Sequence, residues 1–101
     1  MKHPAAFVTL AMLTTCLFAQ AGHPERARNL AATCANCHGT NGRAVAGSGI
    51  DPLAGIDKRV SLQKLVDFKN GQRPGTIMPQ IAKGYSDEQL ELIASYFAAQ
   101  K

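Results

Sequence analysis

Apolar positions recur at helical spacing in three stretches of the chain, and no stretch shows the apolar-polar alternation of a strand. The predicted helices run from about Pro24 to Cys34, from about Leu62 to Asn70 and from about Asp87 to Gln100. Gly39 follows the first helix as a stop signal. The pattern therefore predicts an all-α fold with three main helices joined by long loops.

Capping residues mark the ends of the second and third helices. Ser61 is the predicted N-cap of the second helix, and Asn70 with Gly71 ends it. Ser86 and Gln89 have the spacing of a capping box ahead of the third helix. The segment between these two helices contains Pro and Gly and is predicted to be a loop, with a short turn at 81–82.

Residues 1–21 have the pattern of a cleavable secretory signal. A short basic start is followed by the uncharged apolar run 5–18 and an A-x-A site at 19–21. Cleavage would leave residues 22–101 as one domain in the periplasm, without stable membrane insertion, because the apolar run is too short to span a bilayer. Lipidation of Cys16 is the alternative to its removal.

Charge and size narrow the class of protein. The chain carries 11 Lys and Arg against 7 Asp and Glu, a formal net charge of +4, and the basic residues are scattered. This distribution predicts no nucleic-acid partner, although a weak basic face could steer an acidic protein. The domain has no Trp and few other aromatic residues. A domain this small with so thin a core is expected to need a disulfide, a metal or a cofactor.

Residues 34–38 read C-A-N-C-H, the spacing of a covalent haem c attachment site in an exported protein. Cys34 and Cys37 stand one helical turn apart, so both thiols can reach the two vinyl groups on one edge of a porphyrin. His38 follows directly and is the predicted proximal ligand of the iron. A Cys34–Cys37 disulfide, a thioredoxin-like redox pair and a zinc site are the alternatives. A structural zinc site usually uses two such pairs, whereas only Cys34, Cys37, His38 and the distant His23 are available here.

Met78 is the predicted sixth ligand of the iron. It is the only Met after the signal, and it lies in the Pro- and Gly-containing segment 73–80. Pro79 disfavours a helical backbone at Met78, so we expect an extended loop that projects the thioether toward the haem. His23 is the competing candidate for the sixth ligand. The alternative for Met78 is that its flexible side chain only fills a gap in the hydrophobic core. The Gly-rich segment 39–60 is expected to wrap the cofactor.

The C-A-N-C-H motif, the P-L-A-G segment at 52–55 and Met78 together resemble the class I c-type cytochromes. The resemblance covers nearly all of residues 22–101. It implies the small class I cytochrome c fold around one covalently bound haem, with His38 and Met78 as axial ligands. It also implies that Pro52 lends its backbone carbonyl to the His38 imidazole, which would fix the tautomer.

A narrower resemblance lies in residues 67–78 and 81–88, which are similar to the single-haem cytochrome subunit of flavocytochrome c sulfide dehydrogenases. It implies electron transfer from a flavoprotein subunit that oxidises sulfide to a soluble acceptor such as another cytochrome. Such a subunit is not an enzyme on its own, and no residue here is predicted to be catalytic. Arg73 is a candidate contact to a haem propionate.

Two other functions remain open from the sequence. The same haem site would serve a free carrier that shuttles electrons between periplasmic enzymes and a terminal oxidase or reaction centre. The other hypothesis is a haem-free exported domain with a Cys34–Cys37 disulfide. It leaves Met78 and the loop 39–60 without a role.

Overall fold

A computed structural model describes residues 23–101. The predicted signal at 1–21 and the lipidation alternative at Cys16 lie outside the described residues. Within residues 23–101 the secondary structure is entirely helical, which confirms the all-α class. The elements are α1 (His23–Ala31), a 3-10 turn (Ala32–Cys34), α2 (Ala35–His38), a second 3-10 turn (Thr40–Gly42), α3 (Lys58–Lys69), α4 (Met78–Lys83) and α5 (Asp87–Ala98).

The first helical segment extends beyond its predicted end at Cys34. A 3-10 turn links α1 directly to α2, and the backbone stays right-handed across both junctions. Gly39 then ends the helix with φ +82°, as predicted. A Cβ at Gly39 would lie 2.0 Å from the Arg43 carbonyl oxygen, so only glycine fits this turn.

Helix α3 begins four residues before the predicted start, and Ser61 is not its N-cap. The Oδ1 atom of Asp57 accepts hydrogen bonds from the amides of Arg59 (2.9 Å) and Val60 (3.3 Å). The apolar pattern that predicts this helix begins only at Leu62. The Asp57 carboxylate caps an earlier, polar turn, and its negative charge is stabilised by the positive end of the helix dipole. Asn70 and Gly71 end the helix, as predicted.

Helix α4 replaces the loop that was predicted around Met78. Met78 is the first helical residue and Pro79 lies in the first turn, so the expected extended backbone at Met78 is wrong. Proline is tolerated there because the first turn of a helix leaves its amide N–H groups without helical partners. The helix buries Ala82 and ends at Lys83, so it includes the short turn that was predicted at 81–82.

Helix α5 has the predicted capping box. The Ser86 hydroxyl accepts from the Gln89 amide (3.2 Å), and the Gln89 side chain accepts from the Ser86 amide (2.8 Å). Its acidic residues bind basic residues of α1 and α3, in the pairs Arg26–Glu88 (2.9 Å), Lys58–Glu91 (2.7 Å) and Lys69–Asp87 (2.7 Å). Hydrogen bonding and charge attraction from Lys58 lower the pKa of Glu91. Exposed pairs of this kind add little stability each but restrict how the helices pack.

The core lies where α1 packs against α5. Ala31, Ile93 and Phe97 form its buried centre. Partly buried side chains pack around that centre: Leu30, Cys34, Leu53, Leu65, Tyr85 and Tyr96. Because Cys34 is one of them, the helix crossing also fixes one end of the candidate haem motif. Across residues 23–101 no helix has the length and apolarity needed to cross a membrane.

Replacing Gly42 with Ala is expected to destabilise the fold more than the same change at Gly47. Both glycines have positive φ (+76° and +79°), so both variants carry similar backbone strain. At Gly42 the added Cβ would also lie 2.8 Å from Phe97 Cδ1 and 2.9 Å from the Ala54 amide, while at Gly47 it meets nothing within 4 Å. We expect Gly42→Ala to cost about 1–3 kcal/mol more than Gly47→Ala in denaturant unfolding. Equal losses would contradict the packing described here.

Candidate haem site

The two thiols of the motif have different surroundings. Cys34 ends the first 3-10 turn and is half-buried against the core, whereas Cys37 lies in α2 and is exposed. Both are unpaired, so the Cys34–Cys37 disulfide alternative is not formed in this structure. One attachment point is therefore anchored in the core and the other faces outward.

The acidity of Cys34 argues against a thiol redox pair. Burial raises the pKa of the Cys34 thiol, and the weaker opposing effect of a hydrogen bond with Thr33 does not offset it. Redox-active C-x-x-C pairs depend on a lowered thiol pKa, because the thiolate is the reactive form. The shift of the Cys34 pKa is therefore opposite in direction to the one that a redox pair needs.

The imidazole of His38 is oriented by a hydrogen bond to the backbone. Its Nδ1 atom lies 2.7 Å from the carbonyl oxygen of Asp51. A carbonyl can only accept, so Nδ1 carries the proton and the Nε2 lone pair is left for a metal ion. The structure thus gives His38 the tautomer that an iron ligand requires.

The acceptor is not the predicted carbonyl of Pro52. It belongs to Asp51, one residue earlier. Pro52 follows Asp51 directly, and a proline disfavours a helical backbone at the residue before it. Pro52 itself is exposed.

Backbone hydrogen bonds hold the segment that carries Asp51. The Gly42 carbonyl accepts from the amides of Leu53 (2.8 Å) and Ala54 (3.1 Å). The Gly55 amide donates to the Phe97 carbonyl in α5 (2.9 Å). Residues 53–55 are therefore bonded to the second 3-10 turn at one end and to α5 at the other. These bonds restrict the position of the nearby Asp51 carbonyl.

Met78 belongs to a different part of the fold from His38. It is half-buried at the start of α4, and α4 packs mainly against α3 rather than against α2. Three isoleucines close in sequence to Met78 or to Asp51, the partner of His38, are exposed: Ile50 (41%), Ile77 (62%) and Ile81 (39%). An apolar porphyrin that bridges His38 and Met78 would cover such side chains. The donor set and these exposed side chains fit a haem.

The remaining predicted site residues lie as follows. The Arg73 guanidinium stacks over the Phe68 ring at 5.4 Å from its centroid, which restrains the side chain. His23 lines a surface cavity with Lys58, Glu88 and Glu91 and with no residue of the C-A-N-C-H motif. In the described part of the chain, no three His, Cys, Asp or Glu side chains form a cluster that could hold a metal ion.

Sequence reasoning missed two long-range side-chain hydrogen bonds to residues that flank the motif. Tyr96 donates to Asn41 (2.5 Å), and the Tyr85 hydroxyl lies 2.9 Å from the Thr33 hydroxyl. The glycines around Asn41 do indicate a tight turn there. No local pattern, however, pairs residues that are more than 50 positions apart.

Residues 22–97 match the protein family described as "Cytochrome C oxidase, cbb3-type, subunit III". The chain belongs to the class I c-type cytochromes. Proteins of this family carry covalent haem c, and the cysteines at 34 and 37 fit its attachment motif. They are electron-transfer proteins and not enzymes themselves.

Several curated proteins are similar to this cytochrome. The cytochrome subunit of sulfide dehydrogenase from Chlorobaculum tepidum is 43% identical over 72% of this chain and 64% of its own length. The thiosulfate dehydrogenase electron acceptor of Stutzerimonas stutzeri is 41% identical over 68% of this chain and 32% of its own length. Cytochrome c-554(548) of Halomonas halodenitrificans is 33% identical over 80% of this chain and 100% of its own length. The chain thus spans less than two thirds of the first two relatives.

Single cysteine variants are expected to keep one thioether each, and the double variant to lose covalent haem. Cys34→Ala should also lower the free energy of unfolding by roughly 1 kcal/mol more than Cys37→Ala does, because Cys34 packs against the core and Cys37 is exposed. Haem staining after denaturing electrophoresis and denaturant unfolding measure the two effects. Haem retained by the denatured double variant would contradict the assignment, as would wild-type protein carrying a disulfide and no haem.

Proposed function

We propose that this cytochrome transfers single electrons through one haem c linked to Cys34 and Cys37, with His38 and Met78 as the axial ligands. The observation that carries the proposal is the His38–Asp51 hydrogen bond, which leaves Nε2 available for iron beside the two thiols. When bound, the haem supplies an iron that gains and loses one electron.

The side chains of the site have separate tasks in this proposal. His38 supplies a nitrogen ligand whose basicity is raised by its bond to Asp51. Met78 supplies a thioether that favours the reduced iron and so raises the reduction potential. The two cysteines would hold the porphyrin edge, and Arg73, whose guanidinium stacks on Phe68, is the candidate partner of a propionate.

We also propose an exported location and a sulfide-oxidising flavoprotein as the electron donor. Export rests on the signal pattern at 1–21, ahead of a cytochrome domain at 22–101. The donor is inferred from the relative named as the cytochrome subunit of sulfide dehydrogenase and from the similarity over 72% of this chain. A soluble acceptor such as another cytochrome would then receive the electron from this protein.

A free electron carrier is the second candidate function. The observation that favours it is the similarity to cytochrome c-554(548), because this chain matches the full length of that protein. A permanent subunit should form a stable complex that buries apolar surface, whereas a carrier should form only brief complexes.

Native purification distinguishes the two functions. Gel filtration with haem and flavin absorbance recorded together, followed by addition of sulfide, is the test. We expect haem and flavin to co-elute and sulfide to reduce the haem rapidly. Haem that elutes alone and is reduced by sulfide no faster than an unrelated c-type cytochrome would contradict the subunit assignment and support the free carrier.

Met78→Ala is expected to lower the midpoint potential and to open the iron to small ligands such as cyanide. The shift should be a sizeable part of the ~0.8 V range over which axial ligands set haem potentials. Potentiometry and cyanide titration of the haem-loaded protein measure both effects. Gln80→Ala is the matched control, because Gln80 is exposed on the same helix. If both variants keep the wild-type potential and cyanide affinity, Met78 is not a ligand.

A further inference from the structure

The hydroxyl of Tyr96 reaches from α5 to the turn that follows the haem motif. It donates a 2.5 Å hydrogen bond to Oδ1 of Asn41, 55 positions earlier in the chain. An edge-to-face contact with Phe97, at 5.3 Å between centroids and 76° between planes, orients the Tyr96 ring. Since Phe97 is part of the buried core, the hydroxyl is presented from a rigid support.

Asn41 adopts a backbone conformation that most residues avoid. Its φ and ψ angles are 55° and 26°, and within residues 23–101 it is the one non-glycine residue with positive φ. Asn tolerates this left-handed region better than most residues, yet the conformation persists only where the surroundings stabilise it. The Tyr96 hydrogen bond is a side-chain contact that does so.

The turn around Asn41 connects His38 to the segment that orients it. His38 lies three residues before Asn41, and Gly42 lies directly after. The Gly42 carbonyl binds the amides of Leu53 and Ala54, two and three residues beyond Asp51. A shift of Asn41 would therefore move the Asp51 carbonyl relative to the His38 ring.

We propose that Tyr96 is a positioning residue for His38, acting through Asn41 and the 39–42 turn to maintain the hydrogen bond between His38 Nδ1 and the Asp51 carbonyl. The inference rests on the proposed role of His38 as an iron ligand. Tyr96 has no bond to His38 itself, so its effect passes through the turn. That bond selects the tautomer and orientation with which His38 presents Nε2.

Exchange of the His38 Nδ1 proton with deuterium tests this proposal directly. The rate is measured by NMR in the reduced, haem-loaded protein and divided by the exchange rate of the Ile93 amide, which lies in the core and reports global opening. We expect Tyr96→Phe to raise this ratio roughly tenfold, because it removes one hydrogen bond that stabilises the turn. A purely structural role would accelerate both protons equally.

Three further variants sharpen the test. Asn41→Gly keeps positive φ accessible but deletes the acceptor, so it should raise the ratio as much as Tyr96→Phe does, and the double variant should add nothing. Tyr85→Phe is the control, since it removes a hydroxyl that bonds Thr33 instead. An unchanged ratio in Tyr96→Phe, or effects that multiply in the double variant, would overturn the proposal.

The proposed ligand role fails separately from this inference. If His38 does not bind the iron, its ring protons in the wild-type protein will lack the large shifts that a haem ring imposes on an axial imidazole. That result is seen before any variant is made. Normal axial shifts with an unchanged exchange ratio in Tyr96→Phe would instead retain His38 as the ligand and overturn only the role of Tyr96.

Discussion

The packing of α1 against α5 through Ala31, Ile93 and Phe97 is the interaction on which the rest of the structure depends. It anchors Cys34 at the end of the 3-10 turn that follows α1. Through Phe97 it also holds the Gly-rich segment, because the Phe97 carbonyl binds the Gly55 amide and its ring lies against Gly42. The same crossing therefore places an attachment thiol and the segment that orients His38.

The protein core alone is thin. In the described chain the buried apolar residues are Ala27, Ala31, Ala82, Leu90, Ile93, Ala94 and Phe97, and four of these seven are alanines. Helix α4 depends mainly on α3 for its packing, and the isoleucines next to Asp51 and around Met78 are exposed. A covalently held haem bound by His38 and Met78, as proposed, would bury such surface and would thereby add to the core.

The sequence predicted the parts of the fold that local chemistry determines. The capping box at Ser86, the stop at Gly39 and the all-helical class follow from short-range patterns. The start of α3 was missed because Asp57 caps a polar turn that apolar periodicity does not reveal. The helix at Met78 is not apparent from the sequence, because a proline disfavours a helical backbone at the preceding residue and yet is tolerated within the first turn of a helix. The Asp51 acceptor and the Tyr96–Asn41 bond depend on tertiary contacts, which no local pattern encodes.

The central claim is that one covalently attached haem lies between His38 and Met78. X-ray absorption at the iron edge of the purified, oxidised protein, recorded with its low-temperature spin state, tests it most directly. The account predicts a low-spin iron with one sulfur ligand in addition to nitrogen ligands. A high-spin iron, an iron with nitrogen ligands alone, or purified protein without iron would contradict it.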